Sequence, residues 1–388
     1  MTLFEKDKIY VAGTYNRFPV AVVSGKGSLL YSEDGREYID LTSGIGVTAF
    51  GIADDEWQTA IIKQIGKVQH TSNLFYTAPC ADLAEMLCQK TGMKKVFFSN
   101  SGAEANECAI KAARKYAAEK YGDNRYTIVT MKNSFHGRTL TTLAATGQDH
   151  YHELYQPLTP GFASVTPNAG TAELDALHKA TPVAAVMIEC IQGEGGVLPL
   201  DPAFAREVAD WCEQNGALLI VDEVQTGNGR TGKLYAYMKY GLSPDIVTTA
   251  KGLAGGLPLG ATLLGDKVKD VFGFGDHGST FGGNPVACAA ALSILSRIDD
   301  DLLAGVRRKG AFLRSAFENA KGIEGVSGMG LLLGLKTTKP APTVLAACRD
   351  RGVLCLSAKD KVRLAPALNI PDELLSKAAS VIKEVCAE

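Results

Sequence analysis

Short apolar runs alternate with helical stretches through most of this 388-residue chain, and no other feature of the sequence restricts the fold as much. The apolar runs are KKVFFS, YTIVTM, PVAAVMIEC, ALLIVDE, PDIVTTA and GATLLG. Helical stretches such as GAEANECAIKAARKYAAEKYG and DPAFAREVADWCEQNG lie between them. Strand and helix in alternation favour a mostly parallel sheet that helices cover on both faces. The sequence therefore predicts an α/β fold.

The two ends of the chain depart from this alternation. The first fifty residues look like β-structure, and Asp34-Gly35 stands between two runs rich in Leu, Tyr and Ile, which is a hairpin signal. After the helical stretch GGNPVACAAALSILSRI come two more helices and strands around GLLLGLKTT and KVRLAPAL. We therefore expect residues 1–50 to join residues 299–388 in a small α+β domain, beside a large domain of residues 51–298.

The composition of the chain limits the classes of partner that it can bind and the cellular compartment in which we expect it. Lys plus Arg (40) nearly balances Asp plus Glu (42), so the net charge of −2 provides no basic surface for nucleic acid or an anionic membrane. The nine cysteines are scattered without a C-x-x-C pair, which suits reduced thiols. No apolar run approaches the roughly 18 residues of a membrane span, and charges interrupt the N-terminus where a signal peptide is apolar. We expect a cytoplasmic protein with small-molecule partners.

Polar residues follow the apolar runs, at the strand ends where open parallel sheets bind ligands. Ser101 and Gly102 follow KKVFFS and open a helix, so their N–H groups could hold a phosphate. A Ser N-cap with a turn Gly has the same pattern. Phe135 and Arg138 follow YTIVTM, where each alone could be a core aromatic and a solvated charge.

Acids and a lysine follow the next strands. Glu189 ends PVAAVMIEC, and Glu194 lies in the Gly-rich loop after it, although a loop of this kind with one acid is usually only a loop. Asp222 ends LLIVD, and Lys251 follows PDIVTTA. Burial lowers the pKa of a lysine and makes it a good Schiff-base nucleophile. Pyridoxal phosphate requires this combination: a lysine, an acid for the pyridine nitrogen, an aromatic for the ring face and a phosphate cup.

The blocks that carry these residues resemble, in order, those of the class III pyridoxal-phosphate aminotransferases of fold type I, and within them the acetylornithine branch. They are TYNRFPV, TSNLFYTAP, FFSNSGAEANE, SFHGRT, IQGEGG, VDEVQTGNGRTGK, TTAKGLAGGLPLGA, GSTFGGNPVACAAA and VRLAPAL, which extend over nearly the whole chain. The resemblance implies a large domain with a mostly parallel seven-stranded sheet, a smaller α+β domain from the N- and C-termini, and a homodimer. Cys190 stands where the family usually has a proline, and we expect only a local backbone effect.

The resemblance also implies a role for each candidate residue. Lys251 and Asp222 are the implied catalytic residues: Lys251 binds the cofactor's aldehyde carbon and moves the proton, and Asp222 pairs with the pyridine nitrogen. The implied cofactor-binding residues are Ser101, Gly102, Ala103, Phe135, His136, Glu189, Asp222, Gln225, Lys251 and Thr280. Phe135 stacks on the ring, Gln225 approaches the phenolic oxygen, and Thr280 reaches the phosphate from the neighbouring subunit. The implied substrate-binding residues are Tyr15, Asn73, Arg138, Glu194 and Arg363.

The implied reaction moves the δ-amino group of N2-acetyl-L-ornithine to 2-oxoglutarate by a ping-pong mechanism. It gives N-acetylglutamate 5-semialdehyde and glutamate in arginine biosynthesis. By the same resemblance, Arg138 binds a substrate carboxylate, Arg363 binds the α-carboxylate of glutamate or 2-oxoglutarate, and Glu194 is the counter-ion of Arg363. Ornithine, succinylornithine, succinyl-diaminopimelate and 4-aminobutyrate aminotransferases share this machinery, and the sequence does not choose between them.

Two further patterns point to other chemistries. Residues 227–233, GNGRTGK, fit the G-x-x-x-x-G-K motif of nucleotide-binding loops, but Leu234 stands where a Ser or Thr would hold Mg²⁺. His150 and His152 in DHYHELY would be two ligands of a metal site, yet no third ligand lies nearby in the sequence. We therefore expect no metal and keep nucleotide binding as the remote alternative.

Overall fold

The computed structural model describes residues 1–388 and has a seven-stranded sheet at its centre. The strands, in chain order, are β1 (Val22–Lys26), β2 (Leu29–Ser32), β3 (Glu37–Asp40), β4 (Lys95–Ser99), β5 (Thr127–Met131), β6 (Phe162–Val165), β7 (Val183–Ile188), β8 (Ile191–Gln192), β9 (Leu198–Pro199), β10 (Leu218–Asp222), β11 (Ile246–Thr249), β12 (Gly260–Leu264), β13 (Ile323–Met329), β14 (Leu332–Thr337), β15 (Val353–Leu354), β16 (Leu356–Ala358) and β17 (Lys361–Leu364). The helices are α1 (Leu3–Tyr10), α2 (Ser43–Gly46), α3 (Asp55–Ile65), α4 (Ala78–Thr91), α5 (Gly102–Tyr121), α6 (Leu140–Ala145), α7 (Ala172–Ala180), α8 (Pro202–Asn215), α9 (Ala236–Tyr240), α10 (Pro285–Leu295), α11 (Asp300–Phe317), α12 (Ala341–Asp350) and α13 (Asp372–Ala387).

The central sheet has the strand order β4-β12-β11-β10-β7-β5-β6. Only β12 runs against the others, because it pairs antiparallel with both β4 and β11 while the remaining pairs are parallel. Each of the six apolar runs forms a strand of this sheet, which confirms the α/β prediction. The carboxyl ends of β4, β5, β7, β10 and β11 therefore meet along one edge, where ligands bind sheets of this kind.

Burial on both faces explains why the central strands are apolar without interruption. All five residues of β10 are buried, and alternate residues point to opposite faces. Leu219 and Val221 belong to one hydrophobic cluster, and Leu218 and Ile220 belong to a second one. A charged residue at the end of such a strand, as at Asp222, is therefore held at the boundary of the core.

The ends of the chain form smaller sheets. The hairpin of β2 and β3 turns at Asp34-Gly35 as predicted, and the parallel pairing of Val353 with Ile39 adds β15 to these N-terminal strands. A second sheet has the order β13-β14-β17-β16. The prediction of β-structure was wrong for α1, which begins at a capping box between Thr2 and Glu5. The domain limits at residues 50 and 298 remain a prediction.

Disulfides contribute nothing to this fold, because all nine cysteines are free. Cys190 is among the buried ones and is the second residue after β7. None of the helices combines the length and the apolar character that crossing a membrane would require.

Candidate active site

A cavity of about 560 Å³ lies at the edge where the carboxyl ends of the parallel strands meet. Most of the predicted site residues line it, namely Tyr15, Ser101, Gly102, Ala103, Phe135, His136, Arg138, Glu189, Glu194, Asp222, Gln225 and Lys251. Arg363 on β17 contacts Glu194 from behind the cavity wall. Asn73 and Thr280 line a different cavity in the single chain. The fold thus brings residues that are far apart in the sequence to one place.

Asp222 is fixed by three hydrogen bonds before any ligand is considered. Its Oδ2 accepts from His136 Nδ1 at 2.8 Å and from Asn106 Nδ2 at 2.8 Å. Its Oδ1 accepts from the Val224 N–H at 2.9 Å. Asp222, His136 and Asn106 are all buried, so rotation of this carboxylate would break hydrogen bonds that few other groups could replace.

Asn106 was missed by the sequence analysis, although a signal was present. It lies on the buried side of α5 among Ala105, Cys108 and Ala109, where an amide is unusual. Its Nδ2 also donates to the His136 backbone oxygen at 2.7 Å, so one side chain orients both members of the His136–Asp222 pair. Asn106 is a polar residue on an otherwise apolar face of α5, one turn after the helix begins at the site. This position could have indicated its role from the sequence.

The charges around Asp222 shift the neighbouring groups. Burial lowers the pKa of His136, but the hydrogen bond and the charge of Asp222 outweigh it, and the net pKa lies above the usual value. Burial raises the pKa of Glu189 to about 7. Glu189 Oε2 accepts from the Phe135 N–H at 3.0 Å, and so connects the end of β7 to the loop after β5. The ring of Phe135 is half-buried at the cavity wall.

Lys251 directly follows Ala250 at the end of β11 and adopts a left-handed backbone conformation, with φ of +46°. This conformation is unfavourable for a residue other than glycine and persists only where the surroundings hold it. Asn228 Nδ2 does so by donating to the Thr249 hydroxyl and to the Ala250 carbonyl, each at 3.1 Å. Burial lowers the pKa of Lys251, while the charge of Glu194 partly opposes that change. The result is an amine that is easier to deprotonate than an ordinary lysine.

The N-terminus of α5 points at the same cavity. Ser101 is its N-cap and accepts from the Glu104 N–H at 3.2 Å, which confirms the N-cap interpretation. The N–H groups of the first helical residues, Gly102 and Ala103, have no intrahelical acceptor and form a site suited to a phosphate. Gly102 is required here, because a Cβ would lie 2.6 Å from a side-chain carbon of Val224.

Arg363, Glu194 and Gln225 form a polar cluster at one end of the cavity. Arg363 Nη1 donates to Glu194 Oε1 and to Gln225 Oε1, the latter at 3.1 Å. Gln225 Nε2 donates to Glu194 Oε1 at 3.0 Å. Burial would raise the pKa of Glu194, but the charge of Arg363 outweighs it, so the net pKa is lowered and the pair is ionised. Arg363 Nε is buried without a partner, which leaves one donor free.

Arg138 differs from Arg363 in its exposure and in its partners. It is exposed and lines the cavity without a carboxylate partner. Its guanidinium carbon lies 5.4 Å from the centre of the Phe135 ring and 4.5 Å from that of the Tyr151 ring. The sequence analysis missed Tyr151. The site therefore has one free guanidinium in the cavity, that of Arg138, and one neutralised guanidinium behind its wall, that of Arg363.

The residues present fit pyridoxal phosphate. Lys251 contributes an amine of lowered pKa, Asp222 a buried carboxylate, and α5 two N–H groups for a phosphate. Two buried atoms beside Asp222, Asn106 Oδ1 and His136 Nε2, have no hydrogen-bond partner within the chain. The donor set thus matches an aromatic aldehyde that carries a phosphate and a ring nitrogen.

The nucleotide-binding alternative for residues 227–233 is wrong. The amides of all three glycines and of Arg230 donate to carbonyls within the segment or beside it, as from Gly229 to the Leu234 carbonyl at 3.0 Å, and all its residues except Lys233 are buried. Phosphate-binding loops need free amides. The chain also contains no group of His, Cys, Asp and Glu residues that could hold a metal ion.

Arg230, within residues 227–233, has a structural role. Its buried guanidinium donates to the Pro366 carbonyl, to the Leu331 carbonyl at 3.3 Å and to the Ser43 hydroxyl at 3.3 Å. Burial lowers the pKa of Arg230 to about 10. One side chain thus connects the loop after β10 to both ends of the chain.

Comparison with known proteins agrees with this geometry. The family model of the class-III aminotransferases matches residues 10–386. The acetylornithine aminotransferase of Haemophilus ducreyi is 49% identical over 384 residues, which are 98% of this chain and 98% of that protein. The crystal structure of N-acetylornithine aminotransferase from Stenotrophomonas maltophilia has a TM-score of 0.85 and 36% identity, and the match covers 99% of this chain and 98% of that one. For the ornithine aminotransferase of Toxoplasma gondii the TM-score is 0.94 at 31% identity, covering 99% of this chain and 94% of that one.

Proposed function

Because the chain belongs to the class III aminotransferases of fold type I, we propose that it transfers the δ-amino group of N2-acetyl-L-ornithine to 2-oxoglutarate. As a member of that class it depends on pyridoxal phosphate and exchanges amino groups between small molecules. The products are N-acetylglutamate 5-semialdehyde and glutamate, which makes the reaction a step of arginine biosynthesis. The names and identities of its relatives support this choice of donor.

The chain's own residues divide the work as follows. Bound pyridoxal phosphate supplies a carbon that amines attack and a ring that accepts electrons. Lys251 would hold the cofactor covalently through its amine and would carry a proton to and from the substrate carbon that bears the amino group. Asp222 would hold a proton at the pyridine nitrogen, and Asn106 and His136 keep the Asp222 carboxylate in place. Ser101, Gly102 and Ala103 would bind the phosphate, and Phe135 would support the ring.

The observation that carries the choice of substrates is the contrast between the two arginines. Acetylornithine brings its carboxylate far from the reacting amino group, whereas glutamate brings one carboxylate far away and another beside that group. Arg138, which is free, can bind the distant carboxylate of both substrates. Arg363 serves only the near carboxylate of glutamate, and Glu194 neutralises it when acetylornithine is bound. One cavity can then accept both donors in turn.

The test is a transaminase assay with 2-oxoglutarate as the acceptor. N2-acetylornithine, ornithine, N2-succinylornithine and 4-aminobutyrate are compared by kcat/KM under identical conditions. We expect acetylornithine to be used at least about tenfold better than ornithine, which lacks the acyl group, and than 4-aminobutyrate, which lacks the α-amino nitrogen that carries it. A preference for ornithine, the substrate after which the Toxoplasma gondii aminotransferase is named, would overturn the proposal.

We also propose a homodimer. Thr280 and Asn73 lie together in a second cavity, and Asn73 Nδ2 donates to the Ser279 carbonyl at 2.8 Å. Beside this cavity the side chains of Phe75 and Phe281 are 69% and 60% exposed, an apolar surface that a second copy would cover. In such a dimer Thr280 reaches the phosphate of the other subunit, while Asn73 and Tyr15 line the substrate entrance. A fully active monomer, detected by light scattering under assay conditions, would contradict this arrangement.

The free cysteines support a cytoplasmic location, since a reducing compartment keeps thiols unpaired. Fractionation of the source cells, with the protein detected by antibody, tests this part of the proposal. Recovery in an exported fraction would refute it.

A further inference from the structure

The segment DHYH, residues 149–152, is neither a metal site nor part of the function proposed above. Its first three residues form a single 3₁₀ turn, Asp149–Tyr151, shortly after α6. Hydrogen bonds hold the turn at both ends. Before it, Gln148 Nε2 donates to the carbonyls of Asn133 and Ser134 at 3.2 and 3.1 Å. After it, His152 Nε2 bonds to the Leu143 carbonyl at 2.9 Å.

This turn presents the ring of Tyr151 to Arg138. The guanidinium carbon lies 4.5 Å from the centre of the Tyr151 ring, closer than to the Phe135 ring at 5.4 Å. The two rings meet edge to face, with centres 5.7 Å apart and planes at 66°. This is a favoured aromatic geometry, so the rings support each other. Arg138 thus lies against a small aromatic wall, which consists of the rings of Phe135 and Tyr151.

The wall matters because nothing else fixes Arg138. Its guanidinium has no salt-bridge partner, and its long side chain projects into an exposed region. A free arginine side chain of this kind occupies many rotamers, and a ligand that needs one of them must oppose that freedom. An aromatic face attracts the guanidinium and restricts it to one region of the cavity.

We propose that Tyr151 is a positioning residue that holds the Arg138 guanidinium ready for the substrate carboxylate distant from the transferred amino group. The proposal rests on the proposed function, in which Arg138 binds that carboxylate in both half-reactions. Tyr151 acts before the chemistry and away from Lys251, so its loss weakens substrate binding and leaves the rate at saturation nearly unchanged.

The test replaces Tyr151 in the holoenzyme by leucine and by phenylalanine. Tyr151→Leu removes the ring, and we expect KM for acetylornithine and for glutamate to rise about tenfold, with kcat within about twofold of wild type. Tyr151→Phe retains the aromatic face and should restore KM to within about threefold. The absorbance spectrum of the bound cofactor should be the same in all three proteins.

Two controls separate positioning from a general structural role. Tyr155→Leu makes the same change four residues further along the chain, at a ring that does not lie under Arg138, and it should leave both KM values unchanged. In an Arg138→Ala background, Tyr151→Leu should cause no further rise in KM, because the group it positions is absent.

The outcomes distinguish the two proposals. If the wild-type protein does not use acetylornithine, the proposed function fails, while the glutamate half-reaction still tests Tyr151 because glutamate carries a distal carboxylate. Unchanged KM in Tyr151→Leu would overturn the inference. So would an equal loss in single-turnover reactions with L-alanine, which has no distal carboxylate.

Discussion

The two sides of the cavity treat charge in opposite ways. On the side of Asp222 the carboxylate is buried and accepts three hydrogen bonds from within the chain. On the side of Arg138 the charge is exposed, and only aromatic rings hold it. The cluster of Arg363 and Glu194 is intermediate, since its charges are paired but Glu194 is still 27% exposed.

The difference follows from what each side has to bind. A cofactor that stays in place is served best by groups whose geometry is fixed in advance, since they need no reorganisation during the reaction. Substrates that differ between two half-reactions need charges that are free or exchangeable. Rigidity at Asp222 and freedom at Arg138 are therefore two parts of one arrangement, and each can be tested separately.

The largest effect is expected at Lys251. Lys251→Ala should lower kcat by on the order of ten-thousandfold or more, because the covalent link and the proton carrier are lost together. Lys233→Ala, at an exposed lysine in the segment after β10, is the matched control and should retain full activity. Borohydride reduction of the wild-type holoenzyme followed by peptide mapping should place the reduced cofactor on Lys251. A label on another lysine would refute the assignment of Lys251, and with it the view that the Asp222 side of the cavity is built to hold the cofactor.

The next effect is expected for Asp222→Asn. The amide has the same shape but cannot stabilise a protonated pyridine nitrogen, so turnover should fall about a hundredfold or more. Circular dichroism should stay close to wild type, which shows that the fold is retained, while a lower unfolding temperature measures the hydrogen bonds that the amide NH2 group cannot accept. Turnover near the wild-type value would assign the role to a different acid, such as the neighbouring Glu223.

Glu194 and Arg363 sharpen the comparison on its exchangeable side. Glu194→Ala should slow the half-reaction with acetylornithine about tenfold more than that with glutamate, since Arg363 is then unpaired beside an uncharged methylene. Arg363→Ala should do the reverse. Single-turnover absorbance changes of the cofactor, recorded separately for each donor, measure both. Equal losses in the two half-reactions for each variant would show that the pair does not switch.

The smallest effect concerns stability and pH. The folded-state pKa of Glu194 is lowered from 4.5, so the pair contributes stability above that pH and loses it as the pH falls through the folded value. The apo form of Glu194→Gln should therefore unfold at a temperature lower than wild type by about 2 °C at neutral pH. The difference should diminish below pH 4.5. A difference that stays constant down to pH 3 would assign it to packing instead of charge.

Much of the fold could be predicted because it depends on local pattern. β7 and β10 are buried on both faces, and their uninterrupted apolar sequences were enough to predict them as strands. The edge strand β6 was missed, since its four residues are mostly half-exposed and include Ser164, so no continuous apolar run marks it. α1 was missed because its stabilising signal is a capping box, with no buried residue to give a periodic pattern.

The site was predictable where one short motif carries the chemistry, as at Lys251 and Asp222. Their roles, and those of the other predicted residues, remain to be tested by the variants above. Asn106 and Tyr151 were missed because their importance lies in a partner elsewhere. Asn106 is 116 residues from Asp222 along the chain, and only the packing of α5 against β10 brings them together. Residue types show what a side chain can do, but not which group it will meet.

Arg230 has a consequence for the order in which the protein is made. Its carbonyl acceptors, Leu331 and Pro366, lie 101 and 136 residues further along the chain. During synthesis the loop after β10 leaves the ribosome well before them, so its guanidinium stays hydrated while the central sheet is already able to form. Arg363 emerges almost as late. A nascent chain stopped before Arg363 would therefore contain the cofactor-binding residues and Arg138, but not the guanidinium proposed to bind the near carboxylate of glutamate.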